Sequence, residues 1–226
     1  MSSRVRALPG GPGADSPSAA DGRWPELLKI AATTFAERGY RSTSLQDIAD
    51  RFGIFKGSLY HYIRSKEDLL YEIMRGVLSA SVADLRRHAG GEGDALGRLR
   101  AVLRGHVRHL IDNLAETTVV LHEFGQLSEQ RRASLPVDEF HRTFTALITQ
   151  GQCEGTVAPD LDPELASLAL LGSVNHIYRW YQPQGARSPD EIADQFATLL
   201  LRGLADPGRG LPTDHELSTT GDRESE

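Results

Sequence analysis

Apolar residues recur three and four positions apart along most of this chain, and only its two ends lack the pattern. Leu28, Ala31, Ala32 and Phe35 stand at i, i+3, i+4 and i+7, which predicts a helix over 23–38. Pro25 is tolerated in its first turn and Gly39 is placed to stop it. The same spacing returns at Leu45, Ile48, Ala49 and Phe52, where Ser44 can cap the helix and Asp47 suits its positive end. Gly53 then supplies a turn, because it enters left-handed backbone without a Cβ penalty. A second short helix follows from about 55 to 63, with Leu59, Tyr62 and Ile63 inward. Two short helices about a glycine turn, the second with a small and polar outer face, describe a helix-turn-helix and point to a DNA-binding regulator.

The remaining pattern is also helical. Ser65 caps a long segment carrying Leu69, Leu70, Ile73, Met74, Val77 and Leu78 to about His88. It is long enough to act as a lever between an N-terminal head and the rest. GGEGD breaks the chain, and Asp94 caps a helix with Leu96, Leu99, Val102, Leu103, Val107 and Leu110. Further helices are expected over 117–127, from Pro136 to the breakers Gly155 and Pro159, over 163–181 and over 189–204. No segment alternates as a strand between hairpin turns, so the expected fold is all-α. The domain reading is a disordered tail over 1–22, a helix-turn-helix domain over 23–66, a helical ligand-binding and dimerisation domain over 67–205, and a disordered tail over 206–226.

Charge qualifies the DNA reading. The chain of 226 residues has a net charge of −6, whereas a nucleic-acid binder is expected to be basic. Residues 1–75, however, hold 11 Lys and Arg against 9 Asp and Glu, which leaves 14 against 22 for the remainder. Between 41 and 66, Arg41, Arg51, Lys56, Arg64 and Lys66 face only Asp47 and Asp50. A locally basic head can dock on phosphates while an acidic body points away. One cysteine, Cys153, excludes an internal disulfide framework and suits a cytoplasmic protein. No run approaches the ~20 apolar residues of a membrane span, and the N-terminus lacks the apolar core of a secretory signal.

The run FAERGYRSTSLQDIADRFGIFKGSLYHYIRSKEDLL resembles the N-terminal domain of the TetR family of bacterial repressors. F-x-E-x-G-Y, the Thr/Ser pair before the second helix, I-A, the turn glycine, KG-x-LY and SKE-x-LL follow one another over about 45 residues. Tyr62 departs from the His that many members carry there. The resemblance implies that Thr43 and Ser44 bond phosphate, and that Lys56, Gly57 and Ser58 open the recognition helix at the base edges. Tyr60, His61 and Tyr62 would contact phosphate or a thymine methyl, Tyr62 being equally a core candidate. Lys66 would clamp a phosphate.

Family members carry a small-molecule pocket in the C-terminal domain and act as dimers on palindromic operators. The ending HIYRWYQPQG followed by SPDEIA resembles the branch that answers to fatty-acyl-CoA or other CoA thioesters. The expected effector is therefore lipophilic, with Leu121, Phe124, Phe140, Phe144, His176, Arg179 and Trp180 as ligand candidates. The broad apolar faces of the last two helices suggest a homodimer through a four-helix bundle. That geometry suits two heads about one DNA turn apart, ~34–36 Å. His106 and His109, one helical turn apart, could serve a metal but lack a Cys cluster or acidic partner, so neither metal nor cofactor is expected. Two other classes stand beside this reading. An architectural DNA binder without a ligand would not need a long acidic body. An enzyme would need a nucleophile–base pair, carboxylate dyad, P-loop or HExxH motif, and none is present.

Overall fold

The computed structural model describes residues 22–205, so the tails expected to be disordered lie, apart from Gly22, outside the described residues. Helix α1 (Trp24–Arg38) leads into α2 (Leu45–Phe52) and α3 (Lys56–Leu59). The longest, α4 (Lys66–Ala89), is followed by α5 (Ala95–Asp112) and α6 (Leu114–Glu123), the last extended by a 3-10 turn, Phe124–Gln126. Then come α7 (Glu129–Ala133), α8 (Glu139–Cys153), α9 (Pro163–Asn175) with a 3-10 turn at His176–Arg179, and α10 (Pro189–Arg202). Among the described residues, strand pairing is confined to an isolated antiparallel bridge between Val157 and Ala205.

The helix ends follow from local chemistry. Ser44 caps α2 through a reciprocal box in which its hydroxyl accepts from Asp47 N while Asp47 accepts from Ser44 N. Ser65 and Asp68 repeat that box at α4, and Ser188 and Glu191 at α10. Asp94 caps α5 by accepting from Gly97 N at 2.8 Å. Gly53 sits at φ 78°, ψ 34°, which sets the angle between α2 and α3.

Two apolar cores form, and α4 belongs to both. Leu69, Leu70, Ile73 and Met74 of α4 pack with Leu27, Phe35, Ile48, Phe52 and Leu59 of the head. Further along, Val82 and Leu85 pack with Leu99, Leu103, Phe144, Ile148, Val174 and Ala197. The head core also takes in Val119 of α6 together with Leu127 and Leu135. Where α5 crosses α4, a Cβ on Gly105 would lie 2.8 Å from the His88 ring, so the absent side chain sets the approach of the two helices.

Three sequence expectations need correction. Leu27, fully buried, takes the inward place expected of Leu28, which is half-buried. α3 ends at Leu59 rather than near 63. Gly57 and Ser58 are weak helix formers, and Tyr60, His61 and Tyr62 donate to carbonyls three positions back. The helix expected over 163–181 stops at Asn175 and continues as a 3-10 turn.

Candidate nucleic-acid interface and effector cavity

The outer face of the helix-turn-helix is built from residues that the core does not use. Lys56, Gly57, Tyr60 and His61 are exposed, and Ser58 is half-buried. Lys56 has no ion-pair partner among the described residues, whereas Arg51 is held by Glu37 at 2.5 Å and Arg38 by Asp47 at 3.5 Å. Lys56 is therefore free to meet a phosphate or base without breaking an internal pair. No Cβ would meet an atom within 4 Å at Gly57, so nothing obstructs a close backbone approach there. Ser44 is exposed, and its hydroxyl is already bound to Asp47.

Three of the expected DNA contacts have partners within the chain. Thr43 is buried, and its Oγ1 donates to Gly39 O at 2.9 Å, which leaves no outward hydroxyl. Lys66 Nζ donates to Tyr40 O and Thr43 O, each at 2.8 Å, and lies 4.3 Å from the centre of the Tyr40 ring. Burial holds its amine below the usual lysine range, although the Glu123 carboxylate acts in the opposite sense. Lys66 thus pins α4 to the α1–α2 link in this structure. Tyr62 is half-buried and stacks on Trp24, with ring centroids 6.1 Å apart. Sequence reasoning passed over Phe55, whose side chain stands 88% exposed at the N-cap of α3. Its signal was an aromatic residue where a capping Ser, Thr, Asp or Asn is expected.

The end of α6 ties the head to the body. Glu123 Oε1 accepts from Tyr40 N at 2.9 Å, and Gln126 Oε1 accepts from Arg41 Nε at 3.1 Å. In the opposite direction, Glu67 Oε1 on α4 accepts from Ser128 N at 2.9 Å. Arg131 pairs with Asp68 and lies over the Tyr71 ring. Burial pushes the Asp68 carboxyl up, but Arg131 and the backbone N–H groups of Arg64 and Ser65 outweigh it, so the group is held below the usual range.

Within the two turns before Glu123, α6 contributes Thr117, Val120 and Leu121 to a cavity of about 220 Å³. The other walls are Val77, Leu78 and Ser81 of α4, His106, His109 and Leu110 of α5, Val137 and Phe140, and Leu171 and Asn175 of α9. Of the expected ligand residues, Leu121 and Phe140 line it. Phe144 does not: it is fully buried between helices of the body core. Phe124, in the 3-10 turn after α6, packs against the head core. His176 and Arg179 are exposed, and Trp180 stacks on Phe196 with centroids 5.8 Å apart. These five residues face a core or solvent rather than the cavity.

The histidines go to separate partners. His106 Nε2 lies 3.2 Å from Asn175 Oδ1, and its ring packs on Phe140 with centroids 4.4 Å apart. Its Nδ1 is shielded from solvent and has no partner, and burial lowers its pKa to about 4, so the ring is neutral at pH 7. His109 Nε2 donates to Val77 O at 3.1 Å, His122 meets Tyr178 OH at 2.6 Å, and His141 meets Ser167 at 2.9 Å. Among the described residues, no three His, Cys, Asp or Glu side chains converge as a metal site would require.

Residues 27–73 match the family described as bacterial regulatory proteins, tetR family, and residues 92–204 match the tetracyclin repressor-like C-terminal domain. The chain belongs to the TetR family. It is a helix-turn-helix transcriptional regulator that binds DNA, in a family of regulators rather than enzymes. The HTH-type transcriptional repressor KstR2 of Rhodococcus jostii is 35% identical over 199 residues, covering 87% of this chain and 98% of that one. The structure of the ketosteroid transcriptional regulator KstR2 of Mycobacterium tuberculosis matches with a TM-score of 0.79 at 31% identity, over 82% of this chain and 96% of that one. A structure of AibR in complex with isovaleryl coenzyme A and operator DNA matches with a TM-score of 0.71 at 28% identity, over 79% and 98% of the two chains. No helix among the described residues is long and apolar enough to cross a membrane.

Proposed function

We propose that this TetR-family regulator is a cytoplasmic repressor that sits on a palindromic operator as a homodimer and leaves it when a compact acyl-CoA, or another CoA thioester, enters the body. The observation that carries this reading is the course of α4. Its Leu69, Leu70, Ile73 and Met74 belong to the head core, and its Val77, Leu78 and Ser81 form a wall of the cavity. A group that occupies the cavity therefore presses on the helix that orients the head. The occupant must prefer the conformation that cannot bind DNA, and DNA must then weaken its binding by the same factor.

Size and lining narrow the occupant. The cavity of about 220 Å³ lies below the ~300–1,000 Å³ of drug-sized pockets, which favours a short or branched acyl group over a long fatty chain. Its walls are mostly aliphatic and aromatic, with polar groups at Ser81, His106, His109, Thr117 and Asn175. The acyl-CoA and operator complex of AibR supports the class, and isovaleryl is an acyl group of the size expected. The repressor assignment draws on the KstR2 relatives. For the homodimer, Leu165 and Leu168 on α9 and Leu199 on α10 stand 67%, 56% and 70% exposed, an apolar face suited to a second copy.

The test is a gel shift with a duplex selected by the full-length protein, titrated with CoA thioesters from acetyl to palmitoyl and including isovaleryl-CoA. Release by short or branched thioesters and not by palmitoyl-CoA is the expected result. Release by none would remove the effector and leave a DNA-binding regulator without a ligand.

A further inference from the structure

Phe55 is held out into solvent at two separate costs to the head. Its ring is 88% exposed, the largest exposure of any large apolar residue described, and the transfer energy of an aromatic side chain is forgone. It also occupies the N-cap of α3 without a side-chain hydrogen bond, at φ −70° and ψ 143°. A Ser, Thr, Asp or Asn there would stabilise the helix start. Among the described residues no side-chain cap makes up for the second loss. Local choices that oppose folding concentrate where a surface is used, and this one adjoins the free Lys56 and the unobstructed backbone of Gly57.

We infer that Phe55 reads the operator directly, its ring packing against the C5-methyl group of a thymine in the major groove of each half-site. The residues at the start of a recognition helix are those that reach base edges, and an apolar side chain distinguishes thymine from the other bases by its methyl group. Lys56 would anchor the neighbouring phosphate or guanine edge, and Tyr60, 53% exposed at the other end of α3, bounds the same face. The residue thereby sets sequence preference as well as affinity. This inference rests on the DNA-binding reading of the head but not on any effector.

The experiment uses the full-length protein and a duplex recovered from a random pool. Each thymine is replaced in turn by deoxyuridine, which removes only the methyl group. We expect one thymine per half-site at which the replacement weakens binding about fourfold, the equivalent of one buried methyl, and about sixteenfold when both half-sites are changed. In Phe55→Ala the same replacement should have no effect, while thermal unfolding stays as in the parent because the ring is 88% exposed. Insensitivity of the parent at every thymine overturns the inference and leaves DNA binding intact. So does an undiminished deoxyuridine penalty in Phe55→Ala, or a change of oligomeric mass in that variant without loss of the penalty. Failure to recover any duplex overturns the DNA-binding role of the head itself.

Discussion

Lys66→Ala separates a structural pin from a phosphate clamp. In the structure Nζ donates to two carbonyls at 2.8 Å and rests on the Tyr40 ring at 4.3 Å. A hydrogen bond from a charged donor contributes about 1.5–3 kcal/mol net, and a partly exposed cation–π contact about 0.5–1 kcal/mol. Lys66 is only half-buried, so water can partly replace its amine at the two carbonyls, and the loss should settle near ~2 kcal/mol. For a chain of this size that corresponds to a fall in Tm of about 4–8 °C. DNA affinity should also drop, because Tyr40 and Thr43 hold the link that orients α2. The slope of log affinity against log salt should nevertheless stay at the parent value, since no phosphate contact is lost. The assay pairs differential scanning calorimetry with anisotropy titrations over a range of salt. An unchanged Tm together with a slope shallower by about 0.9 would refute the pin and restore the clamp.

Two other results are expected. His106, with its pKa lowered by burial to about 4 against an ordinary 6.5, stays neutral in the fold while the unfolded chain takes up a proton. Stability should therefore fall as pH drops from 6.5 towards 4 and level off below that, by ~1–3 kcal/mol, and urea midpoints of His106→Phe should lack this slope between pH 6.5 and 5. Glutamate at both Leu168 and Leu199 should turn the proposed dimer into a folded monomer, and a dimer mass by light scattering for that double variant would rule out this face.

Much of the head was legible because its signals are short-range. Ser44, Asp47 and Gly53 act within one or two turns, and each takes the role that its spacing announced. Lys66 was not legible in the same way: its acceptors lie 23 and 26 residues back, and a basic residue after a helix cap looks alike whether it faces phosphate or carbonyl. The helix α7 escaped notice because EQRRA has no apolar period to find. The cavity exposes a deeper limit of periodicity. An i, i+3, i+4 pattern says that Phe140 and Phe144 turn inward, and both do, yet one faces a void and the other solid packing. Which of the two holds depends on side chains from α4, α6 and α9 meeting across space. The His106–Asn175 pair, 69 residues apart in the chain, carries no local mark at all.

The recruitment of Val119, Leu127 and Leu135 into the head core bears on how such regulators can be recombined. A head cut out at Lys66 would lose the first turns of α4 and three apolar partners from beyond it, and would expose Leu27 and Phe35 at the wound. Grafting this head onto a foreign sensor would thus fail as a simple exchange of beads on a string. A working chimera has to carry the seam along with the head: α4, the end of α6 with Glu123, and the stretch to Leu135. Sensors with different appetites can be traded only between proteins whose seams already agree.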